Sequence, residues 1–292
     1  MIATIIIPTY NRAKILKKCL DALKEQTFKD FEIIIVDDGS TDETMEVIKK
    51  TKELKIKYIY QTHSQQGTAR NKGLLKAKGK YIFFIGDDII PKEDWIEEHL
   101  KYHKRSKNMA VLGLTLWSKD IKKNDFMDYL APNGPQFNYG KIKNENNCGW
   151  DFFWTSNISI EKINLRNERF DENFKGWGYE DLELGYRLGK KGTKIHFNPN
   201  AIAYHHHYYE FPDEFLKKQS ESAKSALYFS KKHPELRRFL IENNEIKFKH
   251  KIILIFFKIF PIFRRIKKLK IILWKLKRRE YFSRGLNEDN TN

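Results

Sequence analysis

Asp87 and Asp88 stand side by side where the apolar run Tyr81–Ile85 and Gly86 end. Two carboxylates at the point where a strand leaves a core repel each other unless a cation or hydrogen-bond donors compensate. The pair is therefore a candidate site for a hard divalent metal. The competing role is to cap the helix expected to begin near Pro91. A second acidic pair, Asp37-Asp38, closes the run Phe31–Val36, and a third, Glu180-Asp181, follows Gly176-Trp177-Gly178-Tyr179. Glu180 and Asp181 precede the helical spacing of Leu182, Tyr186 and Leu188, which places them at a helix N-terminus. The dipole there favours their ionised form, and a capping role competes with acid–base work. Three histidines, His205 to His207, end the segment Ala201–Tyr204. On a strand His205 and His207 share one face, a disposition suited to metal ligation or phosphate contact.

The elements that hold these groups read as an alternation. Ala3–Ile7 is a continuous β-branched run, as expected of a strand covered on both faces, and Pro8 ends it. Ile15, Leu16, Cys19, Leu20 and Leu23 form one apolar stripe of a helix over 12–26. Phe31–Val36 is a second strand, Thr41 to Thr44 open a second helix, Ile56–Tyr60 is a third strand, and Gln66 to Gly73 begin a third helix carrying Arg70. Tyr81–Ile85 is the fourth strand. Short strands alternating with helices of this length predict an α/β doubly wound, mainly parallel sheet, with ligands outside the carboxyl ends of the strands. Pro8 to Asn11, Asp37-Asp38 and Asp87-Asp88 all fall on that rim. Further on, a helix is expected over 95–104 and strands at Met109–Trp117, Phe152–Ile160, Lys194–Phe197 and Ala201–Tyr204, then a helix at Pro212–Lys231. Residues 118–150 carry no pattern and read as a long loop or lid.

The chain has 292 residues, 40% of them hydrophobic and 14% aromatic, enough for one large folded domain or a domain with an appendage. Its net charge of +17 is uneven: residues 247–284 hold fourteen Lys or Arg against Glu280 alone, a net +13, leaving +4 for the rest. The basicity belongs to a tail. Cys19 and Cys148 make no disulfide framework, which fits a reducing, cytosolic compartment. The amino terminus lacks the basic flank and cleavage site of a signal and reads as the first strand. No apolar run reaches the ~18–20 residues of a membrane-spanning helix.

The tail has its own pattern. Ile252–Phe263 is apolar nearly all round, interrupted by Lys258 and Pro261, and Ile266, Leu269, Leu273 and Leu276 then recur at helical spacing among lysines and arginines. This suggests a helix in a membrane interface, with Trp274, Phe256 and Phe257 as anchors and cations on anionic headgroups of the cytoplasmic leaflet. An oligomer contact or a helix docked on the catalytic domain is the main rival. Nucleic acid is disfavoured, because continuous apolar runs serve no purpose against a phosphate backbone.

In order and spacing, Pro8-Thr9-Tyr10-Asn11-Arg12, Val36 to Asp42, Gly67 to Gly73, Gly86-Asp87-Asp88, Gly176 to Asp181 and His205 to His207 resemble the motifs of family 2 glycosyltransferases of the GT-A fold, over residues 1 to about 230. The resemblance implies a mixed, mainly parallel sheet with a nucleotide-binding half to about residue 117 and an acceptor-binding half to about 230, followed by the basic tail, 231–292. It implies donor contacts from Pro8, Thr9, Asn11, Asp38, Arg70 and Asp87. It also implies Mn²⁺ or Mg²⁺ on Asp88, with His205 or His207 as the second ligand. Asp181 would be the general base of an inverting transfer, with Glu180, Trp177 and Gly178 at the acceptor. Trp177 would stack on a sugar ring or fill core. Many relatives carry an acid where this chain has Gly86, so Asp88 bears most of the metal assignment. The donor expected from the resemblance is a UDP-sugar and the acceptor a glycan or lipid-linked hydroxyl. The alternatives are a non-catalytic sugar-nucleotide or polyanion-binding protein on this fold, and a nucleotidyltransferase, which the lack of a glycine-rich, lysine-bearing phosphate loop disfavours.

Overall fold

The computed structural model describes residues 1–289, which pack as two compact units. The first comprises residues 1–122, 131–172 and 180–207, and the second residues 123–130, 173–179 and the chain from 208 onwards. The strands are β1 (Ala3–Thr9), β2 (Phe31–Asp37), β3 (Ile56–Tyr60), β4 (Tyr81–Ile85), β5 (Ile89–Pro91), β6 (Met109–Trp117), β7 (Asn157–Glu161) and β8 (Lys194–His205). The helices are α1 (Ala13–Lys24), α2 (Thr44–Lys50), α3 (Gln66–Lys76), α4 (Trp95–His103), α5 (Asp125–Leu130), α6 (Glu180–Lys190), α7 (Pro212–Lys232), α8 (Phe248–Ile259) and α9 (Lys267–Asp289).

The first unit holds all eight strands in one sheet, ordered β3-β2-β1-β4-β7-β6-β8-β5. β3, β2, β1 and β4 run parallel, β7 is antiparallel to β4 and β6, β8 is parallel to β6, and β5 is antiparallel to β8. Every residue of β1 and β2 is buried, which is why both are mainly apolar rather than alternating, and the polar pair they bury, Thr4 and Glu32, is hydrogen-bonded at 2.8 Å. Ile5, Ile7, Ile33, Ile35, Phe83 and Ile85 pack in one cluster with Leu16, Cys19, Leu20 and Leu23 of α1 and Trp95, Ile96 and Leu100 of α4. On α3, Gly73 permits close approach to the sheet: a Cβ there would lie 2.6 Å from Ile6 Cγ2. Pro8 lies beyond the β1–β4 ladder, which ends at the Ile6 and Phe84 pair, so its missing N–H costs that ladder no bond.

The second half of the sheet differs from the sequence expectation in three places. Ile89–Pro91 is a short strand against His205, Tyr204 and Ala203, and α4 starts only at Trp95, so Asp87 and Asp88 do not cap it. The strand expected from Phe152 is a 3₁₀ turn at Trp150–Phe152, and β7 begins at Asn157, because Thr155 N–H is donated to the Asp181 carboxylate instead of a ladder. The two strands expected at 194–197 and 201–204 are one, β8, whose register against β6 shifts between Gly113 and Leu114. In the unpatterned stretch 118–150, residues 125–130 form α5 and 139–141 a 3₁₀ turn.

A buried polar network ties α4 to β7. His99 meets Ser159 Oγ at 2.9 Å and Asn157 Oδ1 at 3.0 Å, Trp95 Nε1 donates to Asn157 Oδ1 at 2.7 Å, and His103 meets Ser159 Oγ at 2.8 Å. Burial pushes His99 down to about 4 and His103 down to about 3. Both are neutral in the fold, while the unfolded chain takes up protons there below about pH 6.5. Stability contributed by the neutral rings is therefore present above that pH and lost as pH falls through the folded values. The two histidines together should lower the urea-unfolding free energy by about 5 kcal/mol between about pH 7 and about pH 4.5. The slope should flatten in His99→Gln, which keeps hydrogen-bonding capacity without the proton.

In the second unit α9 packs along α7. A Cβ on Gly285 would lie 2.1 Å from Ser220 O, and Ser220 Oγ donates to Tyr281 O at 2.8 Å. Leu276, Phe282 and Leu286 are buried, Trp274 stands edge-on to Phe126 at 5.1 Å, and Asp125 pairs with Lys270 at 3.0 Å. Trp274 and Phe257, expected as membrane anchors, are thus packed within this unit, Phe257 being 2% exposed. The reason is that α5, which the sequence did not reveal, supplies Phe126 and Tyr129 as partners for the indole. α8 behaves otherwise: it buries Leu254 and Phe257 and exposes Ile252, Ile253, Ile255, Phe256 and Ile259. Trp177 also lies in this unit, half-exposed and edge-on to Phe215 at 6.2 Å. Gly178 and Tyr179 after it are both left-handed, φ 77° and 72°, an arrangement that costs a tyrosine of order 1 kcal/mol and marks a constrained turn.

Candidate active site

The carboxyl ends of β1, β2 and β4 are stitched together by side chains of the loops that leave them. Asn11, left-handed at φ 51°, donates its N–H to Ser40 Oγ at 2.9 Å and accepts from Thr41 N–H at 2.8 Å. Asp42 accepts from the first N–H of α1, at Ala13, at 2.9 Å. Asp37 accepts from Tyr58 Oη and Ser40 N–H, both at 2.8 Å, and so holds the loop together. Asp38, buried, accepts from Gln61 Nε2 and from Ser64 N–H at 2.9 Å, with His63 Nδ1 at 3.0 Å. His63 stacks on the exposed Tyr10 ring, centroids 4.2 Å apart, which sets a flat aromatic surface beside Asp38. Tyr10 and His63 were not singled out in the sequence, where an aromatic inside a loop motif gives no sign of its partner.

At the end of β4, Asp87 is 5% exposed and accepts from Thr9 Oγ1 at 2.8 Å. Arg12 Nη1 bridges the pair, 3.0 Å from Asp87 Oδ1 and 2.8 Å from Asp88 Oδ2. His205 Nε2 lies 3.3 Å from the same Asp88 oxygen. Burial and the neighbouring Asp88 push the Asp87 carboxyl up. Burial would raise Asp88 as well, but His205 and Arg12 hold it well below the usual carboxylate range. Gly86 has a steric reason: a Cβ there would lie 2.8 Å from Asp88 Oδ1. Larger residues at 86 would push the carboxylate aside.

The histidines divide as the strand period requires. His205 and His207 stack, centroids 5.7 Å apart, while His206 turns away to Ser118 Oγ and Lys18 Nζ, each at 3.1 Å. Asp88, His205 and His207 can each offer one ligand atom, all within 4.8 Å of one another. This one-carboxylate, two-imidazole set fits Mn²⁺, and Mg²⁺ less well, since Mg²⁺ prefers oxygen. The His205 ring is locked between Trp117, stacked at 5.2 Å, and His207, with Phe137 edge-on at 5.6 Å. Gln136 reaches His205 Nδ1 at 3.2 Å through its amide, and its Oε1 is buried with no hydrogen-bond partner. With the amide turned over, Oε1 is placed to accept from a ring N–H at Nδ1, the kind of contact that orients an imidazole as a metal ligand. Arg12, Trp117 and Gln136 went unremarked in the sequence as site residues because each reaches the cluster from a distant segment.

At the start of α6, Glu180 and Asp181 have separate surroundings. Arg70, 4% exposed, donates from Nη1 to Glu180 Oε1 at 2.9 Å and from Nη2 to Gln66 at 3.0 Å, with its guanidinium 5.5 Å from the Phe170 ring centre. Arg70, which the resemblance implies at the donor, holds Glu180, and its Nε is buried with no hydrogen-bond partner. Asp181 accepts from Thr155 N–H at 3.2 Å and from its neighbour Leu182 N–H at 2.8 Å. Burial, then the charge of Glu180, push its carboxyl up to about 7. The helix dipole was expected to favour the ionised form, but desolvation and the like charge outweigh it. Breaking the Arg70–Glu180 pair alone, as in Arg70→Met, should cost roughly 3–5 kcal/mol of stability. Arg70→Met with Glu180→Gln should recover much of that, a coupling that chemical denaturation of the four proteins would read.

An α/β sheet in the order β3-β2-β1-β4-β7-β6-β8-β5, with acidic loops at the ends of its parallel strands, has the architecture of the GT-A glycosyltransferases. The mannosyltransferase PcManGT of Pyrobaculum calidifontis, solved with GDP-Man and Mn²⁺, superposes with a TM-score of 0.69 at 15% identity, over 98% of this chain and 87% of that one. TarS 1–349 of S. aureus with UDP-GlcNAc gives 0.58 at 17% identity, over 100% of this chain and 92% of that one. At these identities the likeness is one of fold. The chain belongs to glycosyl transferase family 2, whose profile matches residues 4–178, and this part of it is a glycosyltransferase domain. It is 31% identical over 235 residues to the chondroitin synthase of Escherichia coli, covering 69% of this chain and 34% of that one. It is 29% identical over 220 residues to the validoxylamine A glucosyltransferase of Streptomyces hygroscopicus subsp. jinggangensis, covering 66% and 52%. The chain thus matches a third to a half of the length of these relatives.

Proposed function

We propose that this protein transfers a sugar from a nucleoside diphosphate donor, UDP favoured, to a hydroxyl of a glycan or lipid-linked acceptor, with inversion at the anomeric carbon. The observation that carries the reading is the cluster Asp88, His205 and His207, with ligand atoms within 4.8 Å, on the unit that also holds Asp181 with its carboxyl pushed up to about 7. Asp88, His205 and His207 would hold Mn²⁺ or Mg²⁺, whose charge offsets that developing on the diphosphate as the bond to the sugar breaks. Asp38 and the Tyr10 and His63 rings receive the nucleoside, by hydrogen bond and by stacking. Asp87, fixed by Thr9, faces the ribose. Asp181 takes the proton from the acceptor hydroxyl as its oxygen forms the new bond to the anomeric carbon and the nucleoside diphosphate departs. Glu180, positioned by Arg70, accepts a hydrogen bond from the acceptor.

A base must be unprotonated to act, so kcat/KM should fall as pH drops below about 7, where Asp181 takes up its proton. Asp181→Asn should lower transfer by ~10³-fold or more while UDP-sugar binding, followed by calorimetry, stays within about threefold. A folded, donor-binding wild type with no transfer to any acceptor would instead support a binding module on this fold. Gly86→Ala should weaken donor and Mn²⁺ binding with little change in melting temperature, since its Cβ displaces the Asp88 carboxylate.

The second unit is proposed to attach the protein to the cytoplasmic face of a membrane through α8. Ile255, Phe256 and Ile259 are 53%, 41% and 62% exposed, Lys249, Lys251 and Lys258 stand among them, and residues 246–279 contain no acid. The exposed apolar face of α8 with lysines beside it suits an interfacial contact, and among the described residues no helix is long and apolar enough to cross a membrane. The full chain should co-sediment with vesicles containing phosphatidylglycerol and much less with pure phosphatidylcholine. Ile255→Ser with Ile259→Ser should cut that binding by roughly tenfold or more. Equal binding by the double variant would remove α8 as the attachment.

A further inference from the structure

Arg12 supplies the positive charge that faces Asp87 and Asp88, and it does so at the oxygen that a metal would need. Its Nη1 is 2.8 Å from Asp88 Oδ2, the atom 3.3 Å from His205 Nε2. A guanidinium and a divalent ion cannot both sit in contact with that oxygen without strong repulsion. The Arg12 backbone is held in place: Asn11 before it is strapped to Ser40 and Thr41, and Arg12 O accepts from Ile15 and Leu16 N–H at 3.0 and 2.9 Å. The side chain has more freedom, being 35% exposed on a flexible stem. Its guanidinium can therefore move by several ångströms while α1 stays fixed.

We propose that Arg12 and the divalent cation exchange at Asp88, with Arg12 neutralising the two carboxylates beforehand and then moving to the donor diphosphate. A guanidinium presents paired N–H groups that match adjacent phosphate oxygens, so the diphosphate offers it a partner as good as the one it leaves. The inference rests on the assignment of the metal to Asp88, His205 and His207. It makes metal and nucleotide binding interdependent. Metal alone has to displace a cation, whereas metal arriving with a diphosphate supplies that cation with a new anion.

The test is Mn²⁺ binding to the full chain, followed by electron paramagnetic resonance with and without UDP, in wild type, Arg12→Gln, Arg12→Lys and Asp88→Asn. Without UDP, Arg12→Gln should bind Mn²⁺ on the order of tenfold more tightly than wild type, because the competing charge is gone. UDP should tighten Mn²⁺ binding markedly in wild type and much less in Arg12→Gln. In EDTA Arg12→Gln should melt below wild type, and Mn²⁺ should restore it. If Arg12→Gln does not fold, Arg12→Lys, which keeps a charge but loses the fork, should show the same change at smaller size. Unchanged or weaker Mn²⁺ affinity in the Arg12 variants, or equal gains from UDP, would overturn the exchange while leaving the metal assignment intact. Wild type that binds no Mn²⁺, or binds it regardless of Asp88→Asn, removes the metal assignment and the exchange with it.

Discussion

Two adjacent carboxylates leaving the buried end of β4 are the constraint to which the rim of the sheet answers. Neither Asp87 nor Asp88 can be left uncompensated, and the groups that face them come from Thr9 and Arg12 at the end of β1 and from His205 at the end of β8. Those contacts bridge 78, 75 and 117 residues of sequence. The fold needs β1 beside β4, and β5 pairing with β8 at His205, for the charges to meet at all. An assembly that desolvates both carboxylates and sets Arg12 between them is arranged around a cation, since the negative charge is prearranged rather than recruited.

The same rim separates tasks between neighbouring residues. Asp37 accepts from Tyr58 and Ser40 and holds the β2 loop, whereas Asp38 points to Gln61, His63 and Ser64 beside the Tyr10 ring. His206 binds Ser118 and Lys18 while His205 and His207 face Asp88. In each case the alternation of a strand, or the turn after it, sends one residue of a pair to structure and leaves the other toward the space a ligand would enter.

The parallel half of the sheet was legible because β1, β2 and β4 are almost wholly buried and appear as short, mainly apolar runs between helices of regular period. The antiparallel half was not. β5 is three residues long, β7 is preceded by a segment whose backbone is bound by a side chain, and β8 continues unbroken past a register shift opposite Gly113 and Leu114 of β6. Such features are decided by tertiary contacts that leave no local period. The acidic pairs and the histidines could be read from residue type and position. Arg12 as their counter-ion, Gln136 and Trp117 around His205, and the engagement of Arg70 by Glu180 could not, because each depends on which loops the topology juxtaposes. The tail shows the same limit: its amphipathic period is visible, but that α9 meets α7, and that its Trp274 meets α5, a six-residue helix in a stretch without pattern, was set by tertiary contacts.

The Glu180–Asp181 pair shows why two like charges at one helix start are useful to the proposed transfer. Arg70 donates to Glu180 at 2.9 Å, whereas Asp181 accepts from the N–H groups of Thr155 and Leu182 and from the Thr155 hydroxyl. Glu180 is thereby held in place as an acceptor of hydrogen bonds, and burial, then the charge of Glu180, push the Asp181 carboxyl up. A carboxylate with its ordinary pKa would be too weak a base for a hydroxyl. Desolvation beside a fixed negative charge strengthens it, and the N–H donors limit how far. Exchanging the two side chains would set the longer acid on Thr155 and the shorter one opposite Arg70, so the order Glu then Asp follows from the reach each partner demands.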